Sequence, residues 1–143
     1  MSFRVFFVPL VTGLLWLLTA VFPPTAQALT QVKLSDLSYH PCPAELAEGA
    51  VTSGTTMAAN CFIVTGKAEN TSGKPVVNAD IFGRIYDANN DSVMQNRTRL
   101  GSVDVIPPGM SDFELRISVP ANQPTPLKLE QFKAAGFVGK VRR

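Results

Sequence analysis

Histidine, cysteine and tryptophan are almost missing from this chain. His40 is the only histidine, Cys42 and Cys61 are the only cysteines, and the one tryptophan, Trp16, lies inside an apolar N-terminal run. A single imidazole leaves a histidine-based metal cage or a Ser-His-Asp arrangement without material. Tyr39-His40-Pro41-Cys42 could offer one nitrogen and one thiolate, which is two ligands short of a closed zinc site. No Gly-rich phosphate loop is present, and no internal repeat. After the first 28 residues no segment carries the 3.6-residue periodicity of a long helix. Catalysis is therefore not expected, nor any cofactor.

What is present begins with an export signal. Arg4 is the only charge before the apolar run Val5–Phe22, and Pro23-Pro24 ends any helix there. Ala26-Gln27-Ala28 then offers the small residues that a signal peptidase requires, which puts cleavage between Ala28 and Leu29. The rival reading is an uncleaved anchor, because about 18 apolar residues approach the length needed to cross a bilayer core of about 30 Å. A twin arginine and a cysteine at the junction are both lacking, so neither folded-protein export nor lipid anchoring is indicated.

The chain from Leu29 onward is nearly neutral, with 12 Lys and Arg against 11 Asp and Glu. Both cysteines fall in it. An even count in an oxidising compartment favours a Cys42–Cys61 disulfide, which would close a loop of about 20 residues and add about 3 kcal/mol. Two buried free thiols are the alternative.

Residues 29–57 read as a lead-in: an edge strand or ordered segment marked by Val32, Leu34, Leu37 and Tyr39, then a loop with one helical turn at Ala44–Glu48. Residues 58–143 read as the main domain. Cys61–Thr65 is a strand by its β-branched and aromatic content, and Val76–Asp87 is another, with Val77, Ala79, Ile81, Gly83 and Ile85 on one face and Phe82 and Tyr86 on the other. Ala88–Ser92 is a turn by composition, and Val93–Ile106 continues extended until Pro107-Pro108-Gly109 ends it, which predicts a hairpin. The clearest alternation is Phe113, Leu115, Ile117 and Val119 against Glu114, Arg116 and Ser118, a half-buried strand. A last segment is extended at Leu127 and Leu129 and less regular through Phe132, Phe137 and Val138. Short strands divided by Gly, Pro and Asn turns predict an all-β antiparallel sandwich.

Gly66–Val76, the triplet Ile85-Tyr86-Asp87, and Pro108-Gly109 ahead of Phe113 resemble the small exported modules called FxLYD domains, over roughly Cys61–Val119. Tyr86 and Asp87 match the name motif, while Gly83 stands where the family carries Phe and Ile85 replaces Leu. The resemblance implies an immunoglobulin-like β-sandwich in an exported setting and no particular ligand. The chain is also similar to short bacterial or cyanobacterial proteins of the periplasm or thylakoid lumen; an extracellular location fits equally.

Remaining polar features have ordinary readings. Asp87 and Asp91 around Asn89-Asn90 suit turn formation better than calcium, since the twelve-residue loop pattern is lacking. Asp104, Asp112 and Glu114 suit a solvated face better than a glycosidase pair. Asn70-Thr71-Ser72 and Asn96-Arg97-Thr98 are glycosylation triplets that matter only in a eukaryotic secretory route. Arg97 and Arg99 lie two apart on an extended segment, and from Leu127 onward five cations face one acid, whereas Leu29–Pro126 carries 7 cations and 10 acids. Arg97, Arg99, Lys140, Arg142 and Arg143 are therefore the candidate partner surface; a solvated tail is the plain alternative. Nucleic acid is not expected as a partner. The expected function is a non-catalytic protein-binding or assembly module that meets another exported or membrane protein, with peripheral membrane contact through the basic end. A structural envelope protein without a specific ligand is the other reading.

Overall fold

The computed structural model describes residues 29–52, 55–94 and 98–139. The signal segment with Ala28, and Arg97, Lys140, Arg142 and Arg143, lie outside the described residues, as does Asn96 of the second glycosylation triplet.

The fold is all-β and antiparallel. Its strands are β1 (Thr30–Pro41), β2 (Ala59–Asn70), β3 (Val76–Tyr86), β4 (Arg99–Ile106), β5 (Gly109–Pro120) and β6 (Lys128–Val138), with one helical turn, α1 (Ala44–Ala47), between β1 and β2. They form one hydrogen-bonded sheet in the order β4-β3-β6-β1-β2-β5. The connections β2–β3 and β4–β5 are short yet join strands that are not paired, so the sheet folds over and the two edge strands come side by side. Two three-stranded layers result, β4-β3-β6 and β1-β2-β5, with the core between them. β1 joins the layers: Thr30–Lys33 pairs with β6, and Lys33–Pro41 pairs with β2. This corrects the edge-strand expectation for Leu29–Tyr39, because β1 is an interior strand.

The reason β1 reads poorly in sequence is a bulge. Its ladder with β2 shifts register between Ser35 and Ser38, where Asp36 has a φ of 51°. Val32 and Leu34 face the core before the bulge; Leu37 and Tyr39 face it afterwards. One inserted residue exchanges the faces and erases the period-2 signal. Asn78 (φ 49°) has the same effect in β3, so Val76, and not Val77, is fully buried ahead of Ala79, Ile81 and Ile85. In β6 the residue is Gln131 (φ 55°), and the segment expected to be irregular is strand throughout. β4 begins at Arg99; Val93 and Met94 belong to the connection before it.

β5 carries no such interruption. Phe113, Leu115, Ile117 and Val119 are buried while Asp112, Glu114 and Arg116 are exposed. Each of those four side chains contributes about 1.5–3 kcal/mol by burial.

Cys42 and Cys61 form a disulfide, with Cα atoms 5.3 Å apart and the Cys42 N–H donating to the Cys61 carbonyl at 3.0 Å. It closes the base of the β1–β2 excursion. Two buried polar residues secure other connections. The amide nitrogen of Asn70 donates to the carbonyls of Lys74 (2.8 Å) and Ile106 (3.1 Å), and its oxygen accepts from the N–H and Oγ of Ser72. One side chain thereby ties together the β2–β3 and β4–β5 connections. Asp87 accepts the N–H groups of Asn89 (2.8 Å) and Asp91 (2.9 Å), closing the turn after β3.

Candidate functional site

Among the described residues, no three His, Cys, Asp or Glu side chains gather as a metal site would require. Cys42 is committed to the disulfide and has no thiolate to share with the exposed His40. Asp112 is paired with Lys67, whose pKa is raised by the hydrogen bond and by the charge of that carboxylate. Asp104 lies on β4 and Glu114 on β5. The Asn70 triplet is closed to glycosylation in the folded chain, because Asn70 is 2% exposed and both its amide hydrogens are used.

An open groove of about 520 Å³ lies on the β3–β6 seam. It arises where both ladders of β3 slip: the β4 register shifts between Ile81 and Phe82, and the β6 register between Phe82 and Arg84. The Gly83 N–H donates to the Thr98 carbonyl at 2.9 Å, which holds the strand entering β4 against the gap. Any larger residue at position 83 would require Phe132 to shift. A Cβ would fall 2.5 Å from Cδ1 of Phe132, so the aromatic ring roofing this point of the sheet comes from β6.

Cations line the same region. Lys133 stands opposite Phe82 on one side and Lys33 on the other, Arg99 stands opposite Phe82 from β4, and Glu69 stands opposite Lys33 from β2, giving the cross-strand row Arg99-Phe82-Lys133-Lys33-Glu69. Directly opposite partners share a face, and here it is the outer one. Arg99 is held by Asp80, with Nε donating to Oδ1 at 2.9 Å. Among the described residues, no carboxylate reaches ion-pair distance of Lys33, Arg84 or Lys133.

Of the residues singled out in the sequence, Arg99 therefore lies on this face, and Leu29 stands exposed just before β1. The Lys133–Lys33 juxtaposition had no sequence signal, since it depends on the β1–β6 register. The alternation that puts Phe82 and Tyr86 on the face opposite Ile81 and Ile85 was readable, and both are half-buried outside the core cluster.

Comparison with family models, curated proteins and solved structures gave no match.

Proposed function

We propose that this is an exported, non-catalytic binding module that meets an acidic surface of another envelope or membrane protein through the outer face of β4-β3-β6. The FxLYD-like residues and the N-terminal signal support the exported setting, and the disulfide suits an oxidising compartment. The observation that carries the binding assignment is the Lys133–Lys33 pair beside Phe82. Like charges directly opposite on adjacent strands destabilise a sheet. Glu69 stands opposite Lys33 on its other side without an ion pair, so the exposed lysine pair adds little to the fold, yet beside an aromatic side chain and an open groove it gives an acidic partner two cations and an apolar contact.

That trade-off supplies the test. Lys133→Glu replaces a repulsive pair with an attractive one, so it is expected to leave stability unchanged or raise it by about 0.2–1 kcal/mol. The same substitution is expected to abolish salt-sensitive retention of the partner recovered from detergent-solubilised membranes. Equal retention by both proteins, or recovery of the protein itself alone, would overturn the reading in favour of a structural envelope protein. Terminal sequencing of the exported species is expected to begin at Leu29; an intact Met1 would refute signal cleavage.

A further inference from the structure

The excursion between the two cysteines is acidic. From Cys42 to Cys61 it carries Glu45 and Glu48 and no lysine or arginine. Both glutamates and Leu46 between them are exposed, and α1 buries none of its residues. Neither glutamate has an ion-pair partner among the described residues. The turn is nevertheless held in shape. The N–H groups of Leu46 and Ala47 donate to the Pro43 carbonyl at 2.9 and 3.1 Å, and that of Glu48 donates to the Ala44 carbonyl at 3.2 Å. The bridge to Cys61 fixes the base of the turn at Cys42. A turn formed in advance loses little freedom when it docks.

Its spacing matches the Lys133–Lys33 pair. Residues three apart on a helical turn have Cβ atoms about 5–6 Å apart, and directly opposite residues on adjacent strands have them about 4.5–5.5 Å apart. Two carboxylates on the turn therefore fit two ammonium groups on the sheet, and Leu46 is left for the groove walled by Phe82 and Phe132. Arg84 is not needed, because Glu130 stands opposite it. The turn does not fill the groove of its own chain: no residue of α1 lines that groove, and α1 joins β1 to β2 and touches β2, in the other layer.

We infer that the groove takes the Glu45–Glu48 turn of a second copy of this chain, so that the protein self-associates head to tail. The inference rests on the groove being a site for acids, as proposed above, and adds an occupant that the chain itself carries. A contact between two different patches leaves one of each unused in a pair, so further copies add as a ring or a row. An acidic partner and a second copy compete for the same two lysines, and partner binding therefore breaks the row.

One turn in one groove is a small contact, so a Kd of about 0.1–1 mM is expected. Sedimentation velocity of the exported protein at low ionic strength is expected to show mass rising with concentration. About 0.5 M salt is expected to return it to the monomer, since screening then acts within about 8 Å. Lys133→Glu, and separately Glu45→Gln with Glu48→Gln, are each expected to weaken self-association roughly tenfold or more. Mixing the two variants pairs an intact turn with an intact groove, and the expected product is a one-to-one dimer that grows no further. Circular dichroism checks that both remain folded. Self-association undiminished in the glutamine variant, or a mixture that stays monomeric, would overturn the inference. A monomeric wild type that still retains a membrane partner would also overturn it and leave the assignment of the groove standing. Head-to-tail association without retention of any partner would support it and overturn the assignment to another envelope or membrane protein.

Discussion

The hydroxyl of Tyr39 accepts the backbone N–H of Leu127 at 2.8 Å across 88 residues of sequence, while its ring meets Phe62 edge-on at 5.5 Å. β1 is thereby tied to the entry of β6 at the end opposite their shared ladder. Tyr39→Phe keeps the ring contact and leaves the Leu127 N–H without its acceptor. The expected loss is about 1–2 kcal/mol in urea denaturation, with faster amide exchange at Leu127.

Asn70 binds two carbonyls through one amide group. Asn70→Asp removes both donors and places an acid at a buried site, so it is expected to cost at least about 2 kcal/mol. Chemical denaturation checks this. Expression in a glycosylating host is expected to leave Asn70 unmodified in the folded protein, as peptide mass analysis would show.

The Cys42–Cys61 bridge constrains a 19-residue separation. Replacing both cysteines with serine is expected to lower stability by about 3 kcal/mol on the chain-entropy estimate. Non-reducing peptide mapping should recover the bridged pair from the wild type, and quantitative alkylation without reductant would count against it.

Leu115 and Ile117 face the core, whereas Glu114 between them faces water. Leu115→Ala or Ile117→Ala is expected to cost about 2–4 kcal/mol. Glu114→Ala is expected to cost no more than about 0.5 kcal/mol. Thermal denaturation of the three variants side by side makes the comparison.

Asp112 raises the Lys67 pKa by accepting its hydrogen bond and by its charge. A raised folded-state pKa means that the pair's stabilisation is fully present below the ordinary lysine pKa of about 10.4 and is lost as pH rises through the folded value. Both groups are exposed, so the effect is small. Wild type and Lys67→Met are expected to converge in stability above that pH and to differ slightly below it. A difference that persists above it would show that the ion pair is not its source.

How much of this was legible beforehand follows from the bulges. β5 was readable residue by residue because nothing interrupts its alternation. β1 and β6 carry the same kind of apolar positions, but Asp36 and Gln131 insert at positive φ and shift the phase midway. The eye sees Val32, Leu34, Leu37 and Tyr39 as scattered, and the sheet sees them as one face. The paired cysteines were likewise legible, since only two were available to bond.

By itself the sequence determined the all-β class, the turn positions, the disulfide partners and the excess of cations near the C-terminus, because each depends on local composition or on counting. Only the tertiary structure decided that β1 is interior, that Phe132 covers Gly83 and that Lys133 faces Lys33. These depend on strand order and register. Folding one sheet over itself fixes both through contacts between residues far apart in the chain, which no local pattern records.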